Sequence, residues 1–96
     1  MSDQALVDRI RRQDVDAFSI LYDRYARPVY ILAAYLLDPL EAEEVVQEVF
    51  LRLWKKAGLY QAERGTFNTW LMSITRHLVL DRIRSHNKQQ LSELVE

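Results

Sequence analysis

Asp38-Pro39-Leu40-Glu41-Ala42-Glu43-Glu44-Val45-Val46-Gln47-Glu48-Val49-Phe50-Leu51-Arg52-Leu53-Trp54 is the stretch that decides the fold. Asp38 stands where a helix N-cap should be. Pro39 suits the first helical position, where its missing N–H costs nothing, and Glu41 completes a capping-box spacing. Val46, Val49, Phe50, Leu53 and Ala57 then recur at three- and four-residue intervals, the signature of one buried helix face. The helix is predicted to run to Ala57, with Gly58 ending it in the left-handed conformation.

The same periodicity extends in both directions. Ala5, Leu6 and Ile10 place a short helix over residues 4–12, capped by Asp3. Asp14 caps a second helix, whose stripe runs through Phe18, Leu21, Tyr22, Tyr25, Val29, Leu32, Ala33 and Leu36, about five turns. Pro28 lies inside it and removes one backbone hydrogen bond, so a bend is expected near Arg24. Residues 59–65 read as a loop. Thr66 caps a fourth helix carrying Phe67, Trp70, Leu71, Ile74, Leu78 and Ile83. Beyond Ser85 the pattern fades, and Leu91, Leu94 and Val95 are too few to define a packed element. The expectation is an all-α bundle of about four helices over residues 1–85. Residues 86–96 are read as the start of a flexible linker or as a frayed helix end.

Composition agrees with one small globular domain. The chain has 96 residues, 13 basic and 14 acidic, and no cysteine. That count excludes a disulfide scaffold, thiolate metal sites and a thiol nucleophile. Two glycines are too few for a glycine-rich phosphate loop. The longest apolar run, Val29 to Leu37, is too short to span a bilayer, and the first residues lack a basic region followed by an apolar one. A cytoplasmic location is expected. No cofactor or metal is expected: His77 and His86 are nine apart, and no His-x-x-x-His pair exists. Ser73, His77 and Asp81 have the composition of a catalytic triad, but on one helix they form a surface row without oxyanion donors. No catalytic residue is assigned.

The net charge of −1 hides an uneven distribution. Asp38, Glu41, Glu43, Glu44 and Glu48 occupy a stretch without a base, whereas Arg64, Arg76, Arg82, Arg84 and Lys88 share their segment with one acid, Asp81. Glu44, Gln47, Glu48 and Leu51 line up opposite the buried face of the third helix. A solvated helix often reads this way, and the same stripe suits docking against a basic helical partner. The loop and fourth helix interleave cations with Phe67 and Trp70. That pattern fits a single-strand nucleic-acid site, in which cations meet phosphates and aromatics stack on bases. It fits equally a core stripe flanked by solvated arginines.

Three segments in order carry a resemblance: Glu44-Val-Val-Gln-Glu-Val-Phe-Leu-Arg-Leu-Trp54, Arg64-Gly-Thr-Phe-Asn-Thr-Trp-Leu71 and Ile74-Thr-Arg-His-Leu-Val-Leu-Asp-Arg-Ile-Arg84. With Asp16-Ala-Phe-Ser-Ile-Leu-Tyr-Asp-Arg-Tyr25 they resemble region 2 of bacterial RNA polymerase sigma factors of the extracytoplasmic-function type, over about residues 5–85. The resemblance implies that Glu44, Gln47, Glu48 and Leu51 dock on the clamp coiled coil of the polymerase β′ subunit. It implies that the loop from Glu63 to Trp70 opens the promoter −10 element and holds a flipped non-template base. Arg64, Thr66, Asn68, Arg76, His77 and Arg84 are the DNA-binding candidates, with Thr66 and Asn68 expected to reach bases more often than Trp70. Family members often carry Asn where this chain has His77, and imidazole offers different donors from an amide. Polymerase core, the −10 non-template strand and an anti-sigma protein are the expected partners. Factors of this type also carry a C-terminal helix-turn-helix domain, absent from these residues, so the chain is read as a fragment. The competing reading is a helical protein–protein adaptor without a nucleic-acid role.

Overall fold

The computed structural model describes residues 1–95. They form four α-helices with two short 3-10 turns between the third and fourth: α1 Asp3–Ile10, α2 Val15–Leu36, α3 Pro39–Lys56, the turns Ala57–Leu59 and Ala62–Arg64, and α4 Phe67–Val95. Among the described residues there is no strand, and no helix is long and apolar enough to cross a membrane.

The caps explain most of the boundaries. The Asp38 carboxylate accepts from the Glu41 amide at 2.8 Å, with Pro39 at the first helical position. The Asp14 carboxylate accepts from the Asp16 and Ala17 amides, and Arg9 donates to it at 2.8 Å. That arginine, with the two amides, holds the Asp14 carboxyl below its usual pKa. Thr66 accepts from the Thr69 amide at 3.2 Å and opens α4. Each is an early orphan N–H satisfied by a side chain.

Several boundaries differ from the sequence reading, and α1 ends at Ile10 rather than at residue 12. Ser2, not Asp3, caps α1. Asp3 instead accepts from Arg24 and from the Tyr25 hydroxyl, binding α1 to α2. Burial and that carboxylate push Tyr25 up to about 12, so it stays a donor. Gly58 is not a left-handed cap: the only positive-φ glycine is Gly65, at φ 153°. The chain leaves α3 through a 3-10 turn closed by the Tyr60 amide on the Ala57 carbonyl, and Arg11 fixes the turn by donating to the carbonyls of Ala57 (3.3 Å) and Tyr60 (2.8 Å). Finally, α4 does not stop near Ser85. It continues as helix to Val95, so of the two forms expected for residues 86–95 the described residues take the helical one. All of them are exposed, which is why no apolar periodicity marks them. Glu96 lies outside the described residues.

One core joins the elements. Leu6, Val7 and Ile10 from α1 and Ala17, Leu21, Val29 and Ala33 from α2 meet Val45, Val46, Val49, Phe50 and Leu53 from α3. Phe67, Leu71, Leu78 and Val79 close it from α4. Thr75 is buried among them without penalty, because its hydroxyl donates to the Leu71 carbonyl at 2.9 Å. With the inward stripes spent in this way, α3 and α4 each keep an outward face.

Candidate functional site

On α3, burial of Val46, Val49, Phe50 and Leu53 turns Leu40, Glu44, Gln47 and Leu51 outward. Leu40 is 68% exposed and Leu51 52%, two apolar points on an otherwise polar stripe. The two flanks of this stripe differ. Toward α2 lies an open groove of about 440 Å³ whose walls include Tyr22, Arg27 and Tyr30 of α2 and Glu43 and Gln47 of α3. Toward α4 lies a cluster of ions. Arg82 donates to Glu48 at 2.9 Å, and its guanidinium is 3.6 Å from Glu44 and 3.8 Å from Glu41. The His86 ring stands 2.6 Å from Glu41. Burial alone would lower the Arg82 pKa, but the hydrogen bond to Glu48 and the three carboxylate charges outweigh it and raise it. The four expected docking residues are therefore divided. Gln47 faces the groove, Leu51 stands free, and Glu44 and Glu48 answer to Arg82.

The second region is the turn into α4. Tyr60 is 5% exposed and meets Phe67 edge-on (5.7 Å, 89°) and Trp70 at a tilt (5.5 Å, 51°). Its hydroxyl donates to the Gly65 carbonyl at 3.0 Å. Phe67 also packs on Tyr25, so the aromatic group ties the loop to α2. Gly65 adopts φ 153° and ψ 173°, a backbone region open to glycine and hardly to other residues. On one side of this loop is a recess of about 510 Å³, walled by Tyr60, Arg64, Thr66, Thr69, Trp70 and Ser73 among others. It offers a half-buried indole, hydroxyls and a cation together. Those are the groups needed to hold a planar base and its phosphate.

From the recess, α4 presents Thr69, Ser73, Arg76, His77, Leu80 and Arg84 along its outward side, at spacings of three and four. Arg64 and Arg76 have no acidic partner among the described residues. Arg84 has only Asp81, at 3.4 Å, with both side chains well exposed, an arrangement worth little in water. Arg76 also borders a small apolar recess of about 140 Å³ formed by Leu32, Leu36, Val79 and Leu80. No hydrogen bond joins Ser73, His77 and Asp81: Ser73 lines the loop recess, whereas His77 and Asp81 stand exposed.

The six DNA candidates thus take different places. Arg64 and Thr66 line the recess, and Arg76, His77 and Arg84 follow along α4. Asn68 is exposed and stands outside the loop recess, being turned about 100° from Thr69 by the helix. The Thr66 hydroxyl is engaged with Thr69, to whose hydroxyl it donates at 3.0 Å. Phe67 is core at 3% exposure. Trp70 is half-buried and forms part of the recess wall. Sequence reasoning missed Tyr60 and Ser73 at the recess and Tyr22, Arg27 and Tyr30 at the groove, and it covered Thr69 only as part of the Glu63–Trp70 loop. Thr69 and Ser73 carried a usable signal, since they share a helix face with Arg76.

Known proteins align with this arrangement. The family model for sigma-70 region 2 matches residues 21–89. The ECF RNA polymerase sigma factor SigK of Mycobacterium sp. (strain KMS) is 37% identical over 81 residues, covering 83% of this chain and 42% of that protein. The ECF RNA polymerase sigma factor BldN of Streptomyces coelicolor is 36% identical over 81 residues, covering 83% and 31%. The chain spans less than half the length of the curated relatives it matches. Among solved structures, an engineered region 2 of sigmaE, determined by NMR in complex with GTAAAA, superposes with a TM-score of 0.82. It is 27% identical and covers 93% of each chain.

Proposed function

The chain belongs to the sigma-70 region 2 family, in its extracytoplasmic-function branch, and on that premise we propose that it is the promoter-recognition module of an alternative sigma factor. In this reading the module is not an enzyme. Its α3 face docks on the β′ clamp helices of RNA polymerase, and its loop recess and α4 face take the non-template strand of the −10 element. The observation that carries the reading is the recess between Tyr60 and Ser73. It opens at the start of a helix face bearing uncommitted cations, in a fold shared with a region 2 domain solved on a hexanucleotide.

The residues divide the work. Gln47 and Leu51, with the tyrosines of the groove, offer amide and apolar contact to a helical partner. Glu44 and Glu48 add attraction for its cations. At the recess, Trp70 supplies a stacking surface and Arg64 a phosphate contact, while Thr69 and Ser73 bring hydroxyls to base edges. Arg76, His77 and Arg84 continue the track. Extruding a base costs a few kcal/mol, offset by stacking of about 1–3 kcal/mol per base and by phosphate contacts. A domain of net charge −1 gains little non-specific DNA affinity, so the polymerase must bring it to the promoter. Such work places the module in the cytoplasm. We further propose that residues 1–85 are the functional domain, that the chain continues into a −35-reading domain in the intact factor, and that an anti-sigma protein covers these faces.

The test is binding to a recombinant β′ clamp fragment, followed by retention of a single-stranded −10 oligonucleotide. Gln47→Ala/Leu51→Asp should abolish the first, and Trp70→Ala or Arg76→Gln should weaken the second alone. A folded wild-type domain that ignores the clamp fragment would overturn the proposal and leave the adaptor reading.

A further inference from the structure

The acidic row of α3 has a cation of its own. In sequence, Glu41, Glu44 and Glu48 sit in a stretch without a single base. In the fold, Arg82 arrives from α4 and lies within 4 Å of all three, with its shortest contact, 2.9 Å, to Glu48. Arg82 is tucked in, its side chain 22% exposed, whereas Glu44 and Glu48 remain about half exposed at 48% and 47%. The carboxylates are thus reachable from solvent while already facing a guanidinium from beneath. His86 adds a second group beside Glu41, at 2.6 Å.

We infer that Arg82 is an internal competitor for the carboxylates that a basic partner helix would engage, so that it lowers the affinity and association rate of the α3 face. The inference rests on the docking role proposed for that face. The physical argument is one of shared acceptors and summed charge. Glu48 accepts a charge-assisted hydrogen bond from Arg82, and an incoming lysine or arginine must share that oxygen set or displace the guanidinium. The potential seen by an approaching cation is that of three carboxylates less one guanidinium, and steering follows this sum. Arg82 faces α3 rather than the outward side of α4, so the competition is separate from the DNA track. Removing the guanidinium should strengthen docking, whereas a residue that merely holds two helices together should weaken it when lost.

The experiment measures binding of the same β′ clamp-helix fragment to wild type, Arg82→Gln and Arg82→Lys at about 50 mM and about 500 mM salt, by stopped-flow and calorimetry. Arg82→Gln is expected to bind about fivefold more tightly at low salt, mainly through a faster association rate, with the gain fading at high salt. Arg82→Lys, which keeps the charge, should stay near wild type. If Arg82→Gln fails to fold by circular dichroism, Arg82→Met keeps the packing of the stem and takes its place. A folded Gln or Met variant that binds equally or more weakly while wild type binds normally overturns this inference alone. A wild type that does not bind the fragment at either salt overturns the docking proposal and this inference with it.

Discussion

On α3, Glu41, Glu44 and Glu48 already have Arg82 within 4 Å, whereas Arg64 and Arg76 beside the loop recess have no acidic partner among the described residues. In the proposed function the two faces would therefore meet their ligands by different means. The α3 face has its charge partly cancelled, so docking there would rest on shape, on Leu40, Leu51 and Gln47, and on the tyrosines of the groove. The α4 face keeps its cations uncommitted beside a recess and an indole. A formal charge of −1 averages these into near neutrality and describes neither.

Substitutions can break this contrast or sharpen it. Phe67→Ala should have the largest effect. It empties the junction of Tyr25, Tyr60 and Trp70 and should cost about 3–5 kcal/mol, read as a large drop in thermal midpoint with both faces lost together. Gly65→Ala should separate them. Nothing lies within 4 Å of the added Cβ, so the cost is backbone strain alone, about 1–3 kcal/mol. Oligonucleotide retention should fall while clamp binding holds. Leu51→Asp should do the reverse, weakening clamp binding by about 1–2 kcal/mol in calorimetry and leaving the oligonucleotide response intact. Arg76→Gln should be milder, lowering by about one the slope of log affinity against log salt for single-stranded DNA. Asp38→Ala should cost about 1 kcal/mol of stability through the lost cap of α3, measured by urea unfolding, and favour neither face.

The distance over which each feature is determined explains what the sequence disclosed. Caps and stripes are local, so Asp14, Asp38, Thr66 and the buried face of α3 were legible from spacing. The end of α3 was not, because Arg11, 46 and 49 residues earlier, holds the carbonyls of Ala57 and Tyr60 in the turn that follows it. That support lets the chain turn without a left-handed Gly58, and the unusual backbone appears at Gly65 instead. The tail of α4 was illegible for a different reason: a helix that packs on nothing has no apolar period to read. The outward faces were visible as residue lists, but their division was not. Arg82 reads as one more exposed cation until the fold brings it to Glu48, 34 residues away. Trp70 reads equally as core or as a stacking surface until the loop leaves a recess beside it.

In the proposed function the two faces serve two ligands at once. The most direct measurement is an amide NMR titration of the isotope-labelled domain, first saturated with the β′ clamp-helix fragment and then given the hexanucleotide GTAAAA. The first addition should shift amides along α3 and the facing part of α2. The second should shift Tyr60 to Ser73, Arg76, His77 and Arg84 while the α3 signals stay where the fragment left them. Oligonucleotide-induced shifts that fall on α3, or that displace the fragment, would contradict it.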